Sequence, residues 1–572
     1  MAQPARVPLS LVPDVIGALL QRALKPLRIW WRRSWIYRRF LKGPLPDRFV
    51  YYPYDALPRR LEDADALLRG RFRFAGATVE AGAGSIFDTP APSTEWNEGL
   101  HAFQWLPPLA AAGGEASRTL ASNLISEWLR RNGRYSEPAW SPEIMARRLS
   151  NLFAHGRLVI ANTDLMWRSK VFVGLREQSR MLARIATEAP DGIARFEAAA
   201  IVVVSGACLD HSGSRLTTGL RLLETEIARQ ILPDGGHVAR SPETLAHAYR
   251  CLTMVLDALT ASSQEIPQAL RNAHDKIAPM LRFFRHGDGM LALFNGGRES
   301  DARLLAGLLA RDEVRGQPLA HARHSGYQRL AAARTLVILD CGTAPPGAFS
   351  LQSHAGCLAF EMSSGTQRIV VNCGSPGVDH PGWQSALRTT AAHSTLVLAD
   401  TSSAAILPAG LARQLLGPRL IEAPPEPETR RSESPNGWRI EASHDGYARV
   451  FGMRHERQLV LNPQGTVLTG TDRLLPLPKG RRLPRSVPFA VRFHIHPDVR
   501  MSQSKGGDIL LKLPNGEGWR FRAGGGQIAT EESVYLGSET VRRTEQIVIL
   551  GAVKDSPAEV AWVLEQIGVA AD

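Results

Sequence analysis

The sequence predicts an α+β protein in which a helical first half precedes an antiparallel β-sheet second half. From about Asn97 to Leu309, apolar residues recur at helical spacing, and Gly or Pro residues interrupt the pattern at intervals. After Gly316 the pattern changes to short apolar runs separated by Gly, Pro, Asn and Asp, which is typical of strands. At 572 residues the chain is long enough for two or three domains. We expect an N-terminal segment over residues 1–45, a helical domain over 46–315 and a β-sandwich over 316–572.

The N-terminal segment is basic and aromatic. Its central stretch, LRIWWRRSWIYRRFLKG (Leu27–Gly43), interleaves tryptophan and tyrosine with arginine and lysine. Such a helix-compatible stretch can lie in a membrane interface, or it can pack its tryptophans against the body of the protein. The chain contains no secretory signal pattern and no uninterrupted apolar run of the ~20 residues that a membrane span needs.

The helical half shows clear amphipathic stripes. The sequence RLTTGLRLLETEIARQIL places Leu216, Leu220, Leu223 and Ile227 at spacings of four, three and four residues, with charged residues elsewhere. Similar stripes recur along this half and are separated by turns such as LPDGGH and RHGDG. The pattern predicts an array of amphipathic helices joined by short turns.

The second half contains eight short apolar runs, from TLVILDCG to DILLKLP, which predict an antiparallel sandwich. Two of them, CLAFEM and RIVVNCG, read as a hairpin with its turn centred on Ser364 and Gly365. This pairing brings His354 and Asn372 toward the same end of the hairpin, and His393 opens another strand-like run. Two polar insertions, APPEPETRRSESPNG and LLPLPKGRRLPRSVP, are expected to be surface loops.

Composition narrows the classes of function. Lys and Arg exceed Asp and Glu by 13, which suits an acidic polysaccharide, a phospholipid surface or nucleic acid as partner. The five cysteines contain no CxxC pair, which argues against a thiolate zinc site; Cys357 and Cys373 can bridge or remain buried free thiols. There is no GxSxG motif and no phosphate-binding loop. A glycosidase using Asp234 or Asp288 remains an alternative.

Several segments resemble the heparinase II/III-like polysaccharide lyases. SHAGCLAFEMSSGTQRIVVNCG and WQSALRTTAAHSTLVLAD are similar to the β-sandwich signature of that family, and RQILPDGGHVARSP resembles a turn in its helical domain. With HDGY (His444–Tyr447) and GTDRL (Gly470–Leu474), the resemblance spans roughly residues 100 to 560. It implies an N-terminal incomplete (α/α) toroid followed by a C-terminal antiparallel β-sandwich, and β-elimination of uronic-acid polysaccharides.

This elimination needs a group that neutralises the uronate, a base for the C5 proton and an acid for the leaving oxygen. The candidates are His237 as base, Arg240 and Arg388 as carboxylate clamps, and Tyr249 and Tyr327 as phenolic acid or base. The chain departs from the family pattern at Gln352, where a histidine is usual, and at Thr244, where a tyrosine is usual.

The resemblance also implies a zinc ion near the site, with its ligands at His354, Asn372 and His393. Asn372 replaces the family's carboxylate by a neutral amide, which weakens the attraction for zinc. A hydrogen-bonded polar cluster that fixes the hairpin end is the alternative.

Two main functions follow. The first is a lyase that cleaves an acidic polysaccharide by β-elimination, and the second is a catalytically altered protein that binds anionic glycan without cleaving it. Nucleic-acid binding rests on charge alone, since no recognition motif is present. The resemblance favours the cell envelope or periplasm, whereas the N-terminal segment favours the cytoplasmic face of a membrane. The sequence leaves the oligomeric state open.

Overall fold

A computed structural model describes residues 8–54, 61–81, 84–161, 163–211, 213–312, 316–478, 483, 486–554 and 556–568. The chain divides into two compact units. The helical unit contains Ile16–Ile231 and His247–Asp275, and the sheet unit contains Met1–Val15, Leu232–Ala246 and Lys276–Asp572. The domain boundaries expected at residues 45 and 315 stay predictions.

The first part of the chain is almost entirely helical, as the apolar stripes predict. Its helices are α1 (Val12–Arg33), α2 (Trp35–Leu41), α3 (Leu61–Leu68), α4 (Thr94–His101), α5 (Leu106–Ala112), α6 (Gly114–Asn132), α7 (Pro142–Ile160), α8 (Leu165–Ile185), α9 (Ile193–Cys208), α10 (Arg215–Gln230), α11 (Pro242–Ala261) and α12 (Gln268–Phe284). A hairpin of β1 (Arg71–Phe74) and β2 (Ala77–Glu80), which the sequence patterns did not predict, lies between α3 and α4.

Local chemistry explains where individual helices begin and how deep they lie. α2 begins after Ser34, whose hydroxyl accepts from the amide of Tyr37 at 3.1 Å. The carboxylate of Asp164 accepts from the amide of Trp167 at 2.8 Å at the start of α8. α9 is apolar around most of its circumference, and its residues from Phe196 to Cys208 are all buried.

Among the residues that the structure describes, the sheet unit contains most of the strands and, besides parts of α1, α11 and α12, four short α-helices. The helices are α13 (Ala302–Leu309), α14 (Gln384–Leu387), α15 (Leu411–Leu416) and α16 (Ala448–Phe451). The strands are β3 (His321–Ala322), β4 (Tyr327–Ala332), β5 (Thr335–Asp340), β6 (Phe360–Ser364), β7 (Gln367–Val371), β8 (Leu396–Leu398), β9 (Ala405–Ile406), β10 (Leu420–Ile421), β11 (Glu428–Ser434), β12 (Gly437–His444), β13 (Met453–Leu461), β14 (Val467–Pro476), β15 (Val487–Ile495), β16 (Arg500–Gln503), β17 (Ile509–Lys512), β18 (Gly518–Gly524), β19 (Gln527–Tyr535), β20 (Arg542–Val553) and β21 (Ala558–Gly568).

Two large antiparallel sheets face each other across one apolar core, which confirms the predicted antiparallel sandwich. One sheet has the order β11-β12-β13-β14-β21-β18-β17-β16, and the other has the order β19-β20-β15-β7-β6-β5-β4-β3, with β8 paired to β15. Phe360 on the second sheet stacks on Trp562 of the first with ring centroids 5.6 Å apart. The core is therefore filled by side chains from both inner faces.

Three local predictions need correction or limits. The insertion predicted as a surface loop contains β11, an edge strand whose residues are mostly exposed; its polar sequence gave no apolar alternation to detect. The turn of the β6–β7 hairpin lies at Gly365 and Thr366, because Ser364 pairs with Gln367, and a bulge shifts the register further along. Part of the second insertion, residues 479–482 and 484–485, lies outside the described residues. The five cysteines are buried free thiols, as expected.

Candidate functional site

His354 and His393, which the family resemblance groups with Asn372, lie side by side in the sheet unit. Nδ1 of His354 lies 3.0 Å from Nε2 of His393, and Nδ1 of His393 lies 2.8 Å from the carbonyl of Thr389. The carbonyl can only accept, so His393 donates from Nδ1 and its Nε2 accepts from His354. A Cβ on Gly356 would lie 2.8 Å from the ring of His393, so the glycine of SHAGC leaves room for this imidazole.

Both imidazoles are buried, and burial sets their charge. Burial lowers the pKa of His393 to about 4. Burial, with the neighbouring His393 and Arg388, lowers the pKa of His354 well below its usual value. The pair is therefore neutral at pH 7.

Asn372 is hydrogen-bonded away from the histidine pair. Its Nδ2 donates to Oε1 of Glu361 at 3.2 Å and to the carbonyl of Leu293 at 3.3 Å, and its Oδ1 accepts from the amide of Ser394. With His354 and His393 bonded to each other, the set offers zinc two neutral imidazoles and an engaged amide but no anionic ligand. These residues as they stand do not fit a zinc site: the two histidines bond to each other, and Asn372 bonds separately to Glu361, Leu293 and Ser394.

A buried arginine fixes the loops that carry the two histidines. Arg457 donates from Nη1 to the carbonyls of Leu358 and Ser394, both at 2.8 Å, and from Nε to Asp472 at 2.8 Å. The indole of Trp562 also donates to Asp472, at 3.0 Å. The sequence patterns did not single out Arg457; the motif GTDRL contains its partner Asp472 but gives no sign of the pairing.

Arg240 lies in the sheet unit as the centre of a buried network. It forms an ion pair with Asp340 and donates to the carbonyls of Ser325 at 2.8 Å and Thr343 at 2.9 Å. Its guanidinium carbon lies 4.7 Å from the ring centroid of Tyr327. Burial would lower the pKa of Arg240, but Asp340 outweighs it and the pKa is raised. The side chain therefore stays charged, and Asp340 balances that charge inside the protein.

Tyr327 is fully buried beside Arg240. Its hydroxyl donates to the backbone carbonyl of Arg240 at 2.7 Å and accepts from Nδ2 of Asn295 at 2.9 Å. Burial and the charge of Asp340 raise the pKa of its phenol. Loss of its proton is thus disfavoured.

His237 lies on the glycine-rich turn that the sequence indicates, but it is only 2% exposed. Its Nδ1 accepts from the amide of Ala239 at 3.0 Å, and its ring centroid lies 6.5 Å from that of Phe349. On the same turn, Asp234 accepts from the amide and hydroxyl of Ser325. The turn is therefore joined to the loop before β4 by hydrogen bonds.

Arg388 is also buried and bonded to backbone. It donates to the carbonyls of Ser353 at 2.8 Å, Pro418 at 2.7 Å and Ser350 at 3.1 Å. Burial and the nearby charge of Arg413 lower its pKa to about 10. Its guanidinium anchors the loop that leads to His354.

Tyr249 belongs to the helical unit, on α11. It is fully buried, and its ring stacks on His274 with centroids 4.5 Å apart.

On the same helix, His247 and Cys251 lie beside Glu197 of α9, with one ligand atom of each within 4.8 Å of the others. Two arginines reach the same carboxylate: Arg250 at 3.4 Å and Arg147 at 3.8 Å. Burial alone would raise the pKa of Glu197, but His247 and the arginines lower it to about 2. The carboxylate is thus already balanced by cations.

A second buried network surrounds the predicted turn HGDG, and the sequence patterns did not predict its contacts. His286 lies 3.1 Å from Oε2 of Glu361 and 2.8 Å from the hydroxyl of Ser363. Asp288 accepts from Nε of Arg368 at 2.7 Å. Their partners come from β6 and β7, so they link the turn to this sheet, and Asp288 is paired with a cation.

The helix α1 has ion-paired basic residues on one side and its most exposed apolar residues on the other. Lys25 pairs with Glu137 at 2.7 Å, and Arg28 and Arg32 pair with Glu188. No residue of α1 is buried. The large apolar side chains most exposed on this helix are Ile16, Leu20, Leu27 and Trp30, each at 60% or more.

A surface helix of a globular protein normally buries its apolar stripe, whereas that of α1 is exposed. No helix among the described residues is long and apolar enough to cross a membrane.

Comparison with known proteins agrees with this fold. Residues 314–563 match the family model described as heparinase II/III-like, C-terminal. The chain is similar to a crystal structure of heparinase III, with a TM-score of 0.70 and 14% identity, over 93% of this chain and 89% of that one. It is also similar to a mutant of the heparan sulfate lyase HepC from Pedobacter heparinus, with a TM-score of 0.61 and 16% identity, over 98% and 92% of the two chains. At these identities the likeness concerns the fold.

A more similar sequence carries a different kind of name. The chain is 32% identical over 544 residues to "FtsZ-localized protein C" of Caulobacter vibrioides (strain NA1000 / CB15N), which covers 93% of each chain. The chain therefore belongs to the heparinase II/III-like family, as a relative of FtsZ-localized protein C.

Proposed function

We propose that this protein is a heparinase-fold protein that attaches to an anionic membrane surface of the cell envelope and binds acidic glycan there without cleaving it. The observation that carries the attachment is the outward apolar face of α1, held by ion pairs on its opposite side. Arg33 at the end of α1 and Arg38 and Arg39 on α2 are exposed, and each basic residue near an anionic bilayer contributes about 1 kcal/mol to binding. This segment thus has both components of an interfacial anchor, an apolar face and basic residues.

Vesicle pelleting tests the attachment. Wild-type protein is expected to pellet with vesicles of phosphatidylcholine containing phosphatidylglycerol and to remain in solution with phosphatidylcholine alone. The double variant Leu20→Gln/Leu27→Gln should weaken binding about tenfold or more, because burying one leucine contributes about 1.5–3 kcal/mol. Leu165→Gln/Met166→Gln, which alters two exposed apolar residues at the start of α8, is the matched control. Equal pelleting of all three proteins would contradict the attachment.

The proposed lack of cleavage rests on how the candidate catalytic groups are used. Arg240, Tyr327 and Arg388 are buried and bonded to the protein's own carboxylates, carbonyls and amides. A uronate clamp or a proton donor must contact the substrate. We propose structural roles for these three residues.

β-Elimination is the second candidate. The family fold and the meeting of His354 with His393 favour it. Absorbance of unsaturated uronate ends decides between the two, with heparan sulfate, chondroitin, hyaluronan, alginate and a bacterial exopolysaccharide as substrates. We expect this absorbance to stay constant with every polymer, and at least one of the polymers to bind the protein in a binding assay. Rising absorbance that is lost in His237→Ala would establish a lyase.

The relative's name suggests a location. We propose that this chain also associates with FtsZ assemblies, on the strength of 32% identity over 93% of both chains. Sedimentation of purified protein with FtsZ polymers, against unpolymerised FtsZ as control, tests this association. Absence from the polymer pellet would count against it.

A further inference from the structure

The corner between α1 and α2 contains a cavity of about 270 Å³. It lies wholly within the helical unit, between this corner, the loop after α6 and the side of α8. The cavity combines three kinds of wall. Its floor is apolar, formed by Leu41 and Met181.

One side of the cavity is aromatic. Tyr37, Tyr135 and Trp140 line it, and all three are largely buried. Their polar atoms are already used: the hydroxyl of Tyr37 donates to the sulfur of Met181 at 3.2 Å, and the indole of Trp140 donates to the carbonyl of Asn132 at 2.7 Å. The rings therefore present faces and edges, which suit an uncharged organic group.

The rim of the cavity is basic. Four arginines line it, against one carboxylate, Glu177, which already pairs with Arg38 at 3.5 Å. Arg33 and Arg134 are exposed, and neither makes an ion pair with any residue that the structure describes. Two exposed guanidiniums that line one cavity without an ion-pair partner among the described residues suit a phosphate, since arginine binds this group through parallel hydrogen bonds.

We propose that this cavity receives the headgroup of an anionic phospholipid, with its phosphate between Arg33 and Arg134. This inference rests on the proposed membrane attachment and deepens it. Trp35, which is 74% exposed, lines the cavity at the start of α2, the helix that directly follows α1. An anionic lipid suits this cavity better than an acidic peptide does. A lipid offers a phosphate to the arginines and apolar groups to the floor of the cavity and to the exposed apolar side of α1.

Calorimetric titration with dihexanoylphosphatidylglycerol, kept monomeric below its micelle concentration, tests the cavity apart from any bilayer. Saturable binding to wild-type protein is expected, with much weaker binding of dihexanoylphosphatidylcholine and inorganic phosphate. Arg134→Gln should weaken the binding about tenfold, because it removes one charge-assisted contact to the phosphate. Arg39→Gln removes the same charge from an exposed position on α2 that does not line the cavity, so it should change the binding less than about twofold.

Three results would overturn the inference: no saturable binding of the short-chain lipid, equal losses in Arg134→Gln and Arg39→Gln, or an Arg134-dependent preference for a hexaglutamate peptide. The outcome is separable from the membrane attachment itself. Vesicle binding that depends on Leu20 and Leu27 but not on Arg134 would keep the attachment and remove the headgroup site. Absence of vesicle binding would remove the attachment, while the short-chain titration would still decide the cavity.

Discussion

At the scale of single residues, hydrogen bonds determine the tautomers of the histidine pair His354 and His393. Thr389 fixes the tautomer of His393, and His393 in turn fixes the proton on His354. Each imidazole nitrogen that faces the other is thereby used. The hairpin pattern alone placed His354 near Asn372, and His393 was grouped with them only through the family resemblance.

Metal removal gives the first prediction at this scale. EDTA is expected to leave the melting temperature unchanged, and the purified protein should contain well under one zinc per chain, because the two histidines bond to each other and Asn372 bonds to Glu361. Elemental analysis and a thermal melt with and without chelator measure this. Stoichiometric zinc whose removal lowers the melting temperature would contradict this arrangement.

The buried ion pair between Arg240 and Asp340 gives a second prediction. Asp340→Asn leaves a buried guanidinium without its counter-charge, which costs about 3–5 kcal/mol of unfolding free energy. Glu441→Gln disturbs the exposed pair with Arg439 and should cost less than about 1 kcal/mol. Urea unfolding measures both variants. Equal, small losses would mean that Arg240 is not held by Asp340.

Other site contacts could not be predicted at this scale. Arg240 finds Asp340 one hundred positions along the chain, and Arg457 binds the carbonyl of Leu358 ninety-nine positions away. Backbone carbonyls are present at every residue, so no sequence pattern marks which ones a buried arginine will meet. The expectation of a substrate contact came from residue type, position beside a predicted turn or motif, and the family resemblance, none of which reveals an internal partner.

At the scale of elements, the motif GTDRL is explained by β14 and its neighbour β21. A Cβ on Gly470 would lie 2.0 Å from the ring of Trp562, so the glycine leaves the space that this indole fills. Asp472 accepts from the same indole, and Leu474 is buried in the core. The family-like sequence of this strand is therefore a packing requirement.

Gly470→Ala is expected to lower the unfolding free energy by about 1–3 kcal/mol, because the added methyl group overpacks a core that has no room for it. Gly524→Ala on β18, where a Cβ meets nothing within 4 Å, should change it by less than about 0.5 kcal/mol. Urea unfolding of the two variants measures the difference. Similar values for both would refute the packing role.

The apolar patterns of the sequence did not predict a strand whose residues are polar. β11 pairs along its whole length with β12, yet all seven of its residues are charged or hydroxylated. Its backbone hydrogen bonds do not depend on apolar side chains, so an edge strand of this kind resembles a loop in sequence. α1 presents the opposite case, since its apolar stripe is clear but its outward orientation is set by ion pairs with Glu137 and Glu188.

At the scale of the whole molecule, the two sequence patterns correctly predicted the α+β class and the antiparallel sandwich. Period-two and helical apolar patterns persist over many residues, and each reports directly which faces are buried. The order of strands in the two sheets did not follow from these patterns, because strands distant in sequence, such as β14 and β21, pair at the centre of a sheet.

Buried histidines give the whole molecule a predicted acid sensitivity. Burial is the main cause that lowers the pKa of His101, His393 and His496 to about 4 and of His494 to about 3. Below pH 6.5 the unfolded chain binds protons that the folded chain does not, so stability falls as the pH falls toward 4. Each histidine contributes up to about 1.4 kcal/mol per pH unit, and the raised pKa of Glu98 opposes this weakly.

Thermal melts between pH 7 and pH 4.5 measure this effect, and the melting temperature should fall steadily below pH 6.5. His211→Gln, at an exposed histidine, should leave the slope unchanged. A melting temperature that stays constant down to pH 4.5 would contradict the neutral, buried state of these imidazoles.

The most direct test of the account is hydrogen–deuterium exchange of the full chain with and without vesicles of phosphatidylglycerol and phosphatidylcholine. The account predicts that vesicles slow exchange in the amides of α1 and α2, and that Leu20→Gln/Leu27→Gln abolishes this protection. Protection that is absent from both helices, or that persists unchanged in the double variant, would contradict attachment to a membrane through α1.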